Sequence, residues 1–266
     1  LSAYARLASF YWRRSCRYPM LHGRCVKAKK KRIPGRRGLH KVLTPVKRDA
    51  NMVKAAKKYT KLALNLWRNG KAARRFLKRR SRGEVTMRET SKWIEAQHHA
   101  AQALFLDVDM KLEGVYRVFQ SASFIDLRSP KKKRASLRNL DKWIRRSYKR
   151  YRAASKAYGR VSRAARVGIG HRGGSVPEPY WTVAAHSRVA QLLEALVEAV
   201  ANLYVVGPKK TAKKDRNGMK KQTRRYSKHA FRVYRGVVRA PLPLLVKQSL
   251  WYAYSASRHK TLKMQL

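Results

Sequence analysis

Few side chains in this chain have a type and spacing suited to chemistry beyond carrying charge. Glu95 and His98 form Glu-x-x-His, a spacing used on helices that bind two metal ions. Such a centre needs a second copy and bridging carboxylates, and the sequence holds no second Glu-x-x-His. His98 and His99 are consecutive, so they point in different directions around a helix. The stretch DVDMKLEG that follows lacks the spaced oxygen ligands and central Gly of a calcium loop. Cys16, His22 and Cys25 could supply three zinc ligands, with His40 as a distant fourth. Their spacing fits no common zinc module, and the two cysteines are read as unpaired thiols. Gly168, Gly170 and Gly173 spell G-x-G-x-x-G, but a dinucleotide loop needs a strand before it and a helix after it. A basic helical pattern precedes these glycines and Ser-Val-Pro-Glu-Pro follows, which reads as a joint. There are no paired carboxylates, no nucleophile elbow and no phosphate loop with its lysine. The sequence therefore implies no enzyme, no metal site, no cofactor and no small-molecule substrate.

What the chain has in excess is positive charge. It carries 66 Lys and Arg against 13 Asp and Glu, a net +53 over 266 residues. Self-repulsion on this scale destabilises a compact state unless a polyanion neutralises it, and nucleic acid is the obvious one. Yet 44% of the residues are apolar or aromatic and six are Trp, too many for a disordered basic tail. Part of the chain must fold, and the acids are expected where protein packs on protein. PKKKR (130–134) resembles a nuclear import signal, although such runs arise easily in this composition.

The elements that would position these charges read as helical. Residues 1–50 form a basic arm broken by Pro19, Pro34 and Pro45. Its start, LSAYARLASFYWRRSCRYPMLHGR, carries Arg, Ser and aromatics and no acid, which suits an organelle import segment and equally a basic arm that stays on the mature protein and binds RNA. KAKKKRIPGRRG (27–38) is expected to be disordered without a partner. From Asn51 to Arg82 a stripe of Val53, Ala56, Tyr59, Leu62, Ala63, Leu66 and Trp67 predicts a helix. Two further helices are predicted over 87–105 and 107–121, with Asp107 as N-cap of the second and Asp109 and Glu113 near its positive end. SPKKKRAS (129–136) reads as a charged break before a basic helix from Leu137 to Arg166. Residues 183–206 read as an amphipathic helix with one buried face, and no membrane span is expected. A basic loop over 208–225 and a last helical segment after APLP complete the chain. No alternating strand pattern is evident. The expected class is all-α, with a basic arm (1–50), a long basic helix plus compact helical block (51–128), a basic helix and Gly-rich joint (129–175), and a C-terminal helical extension (176–266).

Two stretches carry a family resemblance. RRGLHKVLTPVK begins a basic extension, and KWIEAQHHAAQALFLDVDMKLEG follows the first basic helix. Through Arg36, Arg37, His40, Lys41, Val42 and Leu43, then Trp93, Ile94, Ala100, Ala101, Leu106, Leu112 and Gly114, the chain resembles the bacterial-type large-subunit ribosomal protein L-twenty. The resemblance covers roughly residues 36–120. It implies a long basic helix leading into a compact helical domain that Trp93 and Ile94 open, and it implies binding and assembly of ribosomal RNA. The enlargement to 266 residues and the import-like start imply a mitochondrial member.

The expectation is a structural protein of the mitochondrial large ribosomal subunit, with ribosomal RNA and neighbouring ribosomal proteins as partners. A lineage-specific mitochondrial ribosomal protein, an assembly factor and a basic DNA-packaging protein are the alternatives. The expected RNA contacts lie in four runs. They are Lys29, Lys30, Lys31, Arg32, Arg36 and Arg37 with His40 and Lys41; Arg74, Arg75, Lys78, Arg79, Arg80 and Arg82; Lys131, Lys132, Lys133 and Arg134; and Arg145, Arg146, Lys149, Arg150 and Arg152. Trp and Tyr between these cations are expected to stack on unpaired bases.

Overall fold

Short polar side chains decide where the chain becomes helical. The Asp49 carboxylate accepts the backbone N–H groups of Asn51 (2.9 Å) and Met52 (3.0 Å) and starts a helix at Ala50. At Thr86 the cap is reciprocal. The Glu89 N–H donates to Thr86 Oγ1 (3.2 Å), while the Thr86 N–H donates to Glu89 Oε2 (3.0 Å), the capping box that T-x-x-E encodes. Ser129 Oγ accepts the Lys132 N–H (3.3 Å), with Pro130 at the first helical position.

In a computed structural model the described residues are 1–17, 20–21, 24–32, 39–68, 78–79, 82–120, 125–126, 128–164, 179–201, 205–206 and 209–265. Among them the order is α1 (Ser2–Arg14), β1 (Met20–Leu21), β2 (Arg24–Arg32), β3 (Leu39–Pro45), α2 (Ala50–Arg68), α3 (Met87–Gln120), β4 (Ile125–Asp126), α4 (Pro130–Ala164), α5 (Pro179–Ala201), β5 (Val205–Val206), α6 (Lys209–Arg239), α7 (Leu244–Lys247) and α8 (Leu250–Gln265). The fold is all-α. Strands among the described residues are confined to a β1-β2-β3 antiparallel sheet and a two-residue parallel pairing of β4 with β5.

Helix α3 is the wall between two packed regions. On one side His99, Ala103, Leu106 and Met110 recur at helical spacing toward α1 and α2, where Ala8, Trp12, Ala56 and Ala63 are buried. On the other, Ala101, Phe105, Val108, Leu112 and Val115 join the main core with α4, α5, α6 and α8. Helix α5 is the centre of that core. Ala184, Ala190, Leu192, Leu193 and Leu196 are fully or almost fully enclosed, and they point to every side of the helix.

Several expectations are corrected here. Residues 2–14 are a folded helix rather than an arm, because Ala5, Ala8 and Trp12 make a buried stripe along it. Lys27–Arg32 are strand residues paired with Leu39–Thr44, so backbone hydrogen bonds hold a segment with no apolar core of its own. The expected helices over 87–105 and 107–121 are one. Asp107 is mid-helix and its carboxylate accepts from Lys111 Nζ (2.6 Å) at i,i+4. The charged break at 129–136 is the opening of α4, and the expected loop over 208–225 belongs to α6 from Lys209. Helix α5 buries nearly all of its circumference rather than one face. Cys16 and Cys25 are joined in a disulfide, with Cα atoms 5.5 Å apart, not left as thiols. The Gly-rich joint at 168–178 lies outside the described residues.

Candidate nucleic-acid interface

The surface of α4 is organised by one rule. Leu140, Ser147, Ala154 and Val161 recur every seven residues and are buried, with Trp143, Tyr151 and Tyr158 beside them. At 3.6 residues per turn, positions two residues away from this seam fall on the far side of the helix. Those positions hold Arg138, Lys142, Arg145, Lys149, Arg152 and Lys156, and Lys131, Arg134 and Arg160 extend the line, all exposed. Helix α6 repeats the design. Thr223, Tyr226, Ala230, Tyr234 and Val237 are buried, while Arg225, Lys228, Arg232, Arg235 and Arg239 lie exposed opposite them.

Several of the chain's few acids are held away from these seams. Asp109 accepts from Arg188 Nε (3.1 Å) and a second guanidinium nitrogen (3.0 Å), and Tyr158 donates its hydroxyl to the same carboxylate. The Arg188 and Asp109 side chains are only 5% and 9% exposed. Arg188 also donates to Gln191 Oε1 (2.7 Å), and its guanidinium lies 4.8 Å from the Trp251 ring. Glu194 accepts from Arg258 Nε (2.9 Å) and Tyr234 (2.8 Å). Burial, reinforced by the Glu194 charge, pushes the Tyr254 hydroxyl up to about 12 and raises Tyr234 further still. Glu113 takes two bonds from Arg48 Nε, both 2.8 Å, and Arg48 lies 3.6 Å over the Trp12 ring. Burial lowers the Arg48 pKa, and the Glu113 charge opposes that shift. Asp126 falls to about 2 because Arg128 hydrogen-bonds its carboxylate.

The helix ends carry the same message. Lys131, Lys132, Lys133 and Arg134 sit at the positive end of the α4 dipole, where cations are unfavourable and no acid occupies the first turn. An external anion would relieve that repulsion.

Compared with known protein families, curated proteins and solved structures, the chain matches none.

The four sequence-predicted runs fare differently. Lys29, Lys30, Lys31 and Arg32 lie on β2, with Lys30 exposed, and His40 and Lys41 lie opposite on β3, paired with Lys31 and Lys30. Arg36 and Arg37 fall outside the described residues, as do Arg74, Arg75 and Arg80. Lys78, Arg79 and Arg82 are exposed, but Arg79 binds Glu89 (2.7 Å) and the Glu84 carbonyl (2.8 Å), so it braces the start of α3. Arg82 lies 3.9 Å from Glu84. Lys131, Arg134, Arg145, Lys149 and Arg152 come together on the α4 seam, with Lys132, Arg146 and Arg150 to its sides, whereas half-buried Lys133 is in register with the buried heptad on the opposite face. Arg145 also pairs with Asp141 at 2.8 Å.

Arg138, Lys142, Lys156 and Arg160, and the whole α6 seam, are absent from the predicted runs. Their signal is cation spacing of three and four residues opposite an apolar heptad, and dense runs do not reveal it. The expected base-stacking rings are also corrected. Trp143, Tyr151, Tyr158 and Tyr226 are buried in the core, and of the described Phe, Trp and Tyr side chains only Phe10 is exposed, at 52%.

The remaining candidate chemistry is used structurally. Trp181 Nε1 donates to His98 Nε2 (3.3 Å), and His99 shares hydrogen bonds with Ser2 (2.9 Å) and Gln102 (3.0 Å). Glu95 lies near His99 (3.7 Å), its i+4 neighbour. Among the described residues no group of three His, Cys, Asp or Glu side chains is placed to hold a metal ion, and no helix is long and apolar enough to cross a membrane. Trp93 and Ile94 fall inside α3, two turns after its start, where Trp93 stacks on Trp67 (ring centroids 5.3 Å apart). The block that the L-twenty resemblance implies is here one continuous helix.

Proposed function

We propose that this chain is a non-catalytic, RNA-binding structural protein of the mitochondrial large ribosomal subunit, which helps ribosomal RNA to assemble. The observation that carries the reading is the pair of exposed cation seams on α4 and α6, each set opposite a buried seam. Lys and Arg aligned along a rigid helix replace the condensed counterions of a polyphosphate, and release of those ions drives binding. Neighbouring ribosomal proteins are the other expected partners. The L-twenty resemblance supports the choice of large subunit.

Sucrose-gradient sedimentation of mitochondrial extracts from the source organism tests this. The chain is expected to co-migrate with the large subunit and with translating ribosomes, and to leave those fractions after RNase but not after DNase. Migration with DNA alone identifies a packaging protein, and presence only on precursor particles identifies an assembly factor. Either result overturns the proposal.

A further inference from the structure

Helices α4 and α6 approach each other through aromatic side chains, which line the groove between them. Tyr148 meets Tyr226 (ring centroids 5.6 Å) and Tyr151 meets His229 (6.1 Å). Both pairs share one sequence offset, so the two helices run parallel where they touch. The same offset, carried two turns further along, brings Gly159 level with Val237, the immediate neighbour of Gly236. On helical spacing Gly159 lies on the flank of α4 that continues from Tyr148 and Arg152. Gly236 lies on the flank of α6 that continues from His229 and Arg232.

Neither glycine is explained by the fold. A Cβ added at Gly159 or at Gly236 would meet nothing within 4 Å, and both residues are exposed inside long helices. Glycine in a helix interior is destabilising relative to alanine, and close approach of an outside backbone is a physical reason to retain it. Two such positions, at nearly one level, flank a groove rimmed by Arg152, Lys156, Arg225 and Arg232.

We infer that the α4–α6 groove receives the sugar–phosphate backbone of double-stranded RNA, with Gly159 and Gly236 admitting it close to both helices. Duplex is favoured over single strand because recognition of unpaired bases uses exposed rings as stacking platforms. Of the four rings in this groove Tyr151 and Tyr226 are buried and Tyr148 is half-buried, which leaves His229 alone exposed, too little for a run of stacked bases. Duplex RNA instead presents phosphates and 2′-hydroxyls, which are recognised by shape. The inference rests on the RNA reading above and narrows it to one nucleic-acid form and one groove.

The test compares binding of the full chain to a perfect RNA duplex and to one of its strands at matched salt. It is then repeated for the Gly159→Gln, Gly236→Gln double variant. Gln is neutral and a good helix former, so the melting temperature is expected to hold or rise. Duplex binding is expected to exceed strand binding by about tenfold and to fall about tenfold in the double variant, each equal to about 1.4 kcal/mol. An Arg152→Gln, Arg232→Gln variant should weaken duplex binding as well. Equal binding of strand and duplex, or native affinity in the glycine variant, overturns the groove and leaves the RNA reading standing. If neither RNA binds, the RNA reading fails with it.

Discussion

Helices α4 and α5 are packed against each other and use arginine in opposite ways. On α4, Arg138, Arg145 and Arg152 face solvent across the helix from the buried seam. On α5, Arg188 is enclosed, clamped to Asp109 and Gln191 and laid against Trp251. The difference lies in the partner. A buried guanidinium is tolerable only when its charge and donors are matched, and Arg48 and Arg188 each have a carboxylate within 3.1 Å. The chain places Asp109, Glu113 and Glu194 inside, against arginines, and so leaves an outer surface that is strongly cationic.

The sharpest break of this contrast is at the buried pair. Asp109→Ala leaves the Arg188 charge enclosed and should cost about 3–5 kcal/mol in chemical denaturation. The double variant Asp109→Leu, Arg188→Met removes both charges and should recover most of that loss. A single-variant cost under about 1 kcal/mol would mean that Arg188 is wetter than its surroundings indicate.

A second effect appears at high pH. The Tyr254 hydroxyl has a folded pKa of about 12, above its ordinary value of 10.0. Its contribution to stability is therefore complete below pH 10 and lost as pH rises through 12, because the unfolded chain releases the proton first. Alkaline unfolding should begin in this window, and Tyr254→Phe should make it less steep. An identical profile in the variant would show that Tyr254 has no part in it.

Smaller again is the capping box. Thr86→Ala should lower stability by about 1 kcal/mol and fray the first turn of α3, which hydrogen exchange at Glu89 and Thr90 would report. Substituting the α4 seam should cost least of all. Lys142→Gln, Lys149→Gln, Arg152→Gln and Lys156→Gln together should alter the melting midpoint little, since surface changes fall within about 0.5 kcal/mol each.

The contrast between α4 and α5 also marks what is legible in the sequence. Periodicity places α4 and α5, and it finds the all-α class. It misses that Arg188 is buried and Glu194 half-buried, because their partners Asp109 and Arg258 are distant in sequence. Asp107 has the form of a cap, an acid before a helical stripe, whereas the working box is Thr86 and Glu89 upstream. The strand Arg24–Arg32 carries lysines where an alternating apolar pattern would have signalled it, so only its pairing with β3 defines it. The disulfide is equally hidden, since it depends on α1 ending beside the start of β2. Dense Lys/Arg runs identify part of the α4 seam, while the spaced cations of α6 stand out only against its buried side.

The exposed seams bind polyphosphate, on this reading, while the enclosed arginines hold the fold. The most direct test is the salt dependence of RNA binding for the native chain and for the fourfold α4 variant above. Each phosphate left unneutralised should reduce the magnitude of the log–log slope by roughly 0.9 on duplex. A slope about 3 to 4 smaller is predicted for the variant, with the melting midpoint nearly unchanged. An unchanged slope, with the same affinity for RNA, would contradict the division between the two sets of arginines.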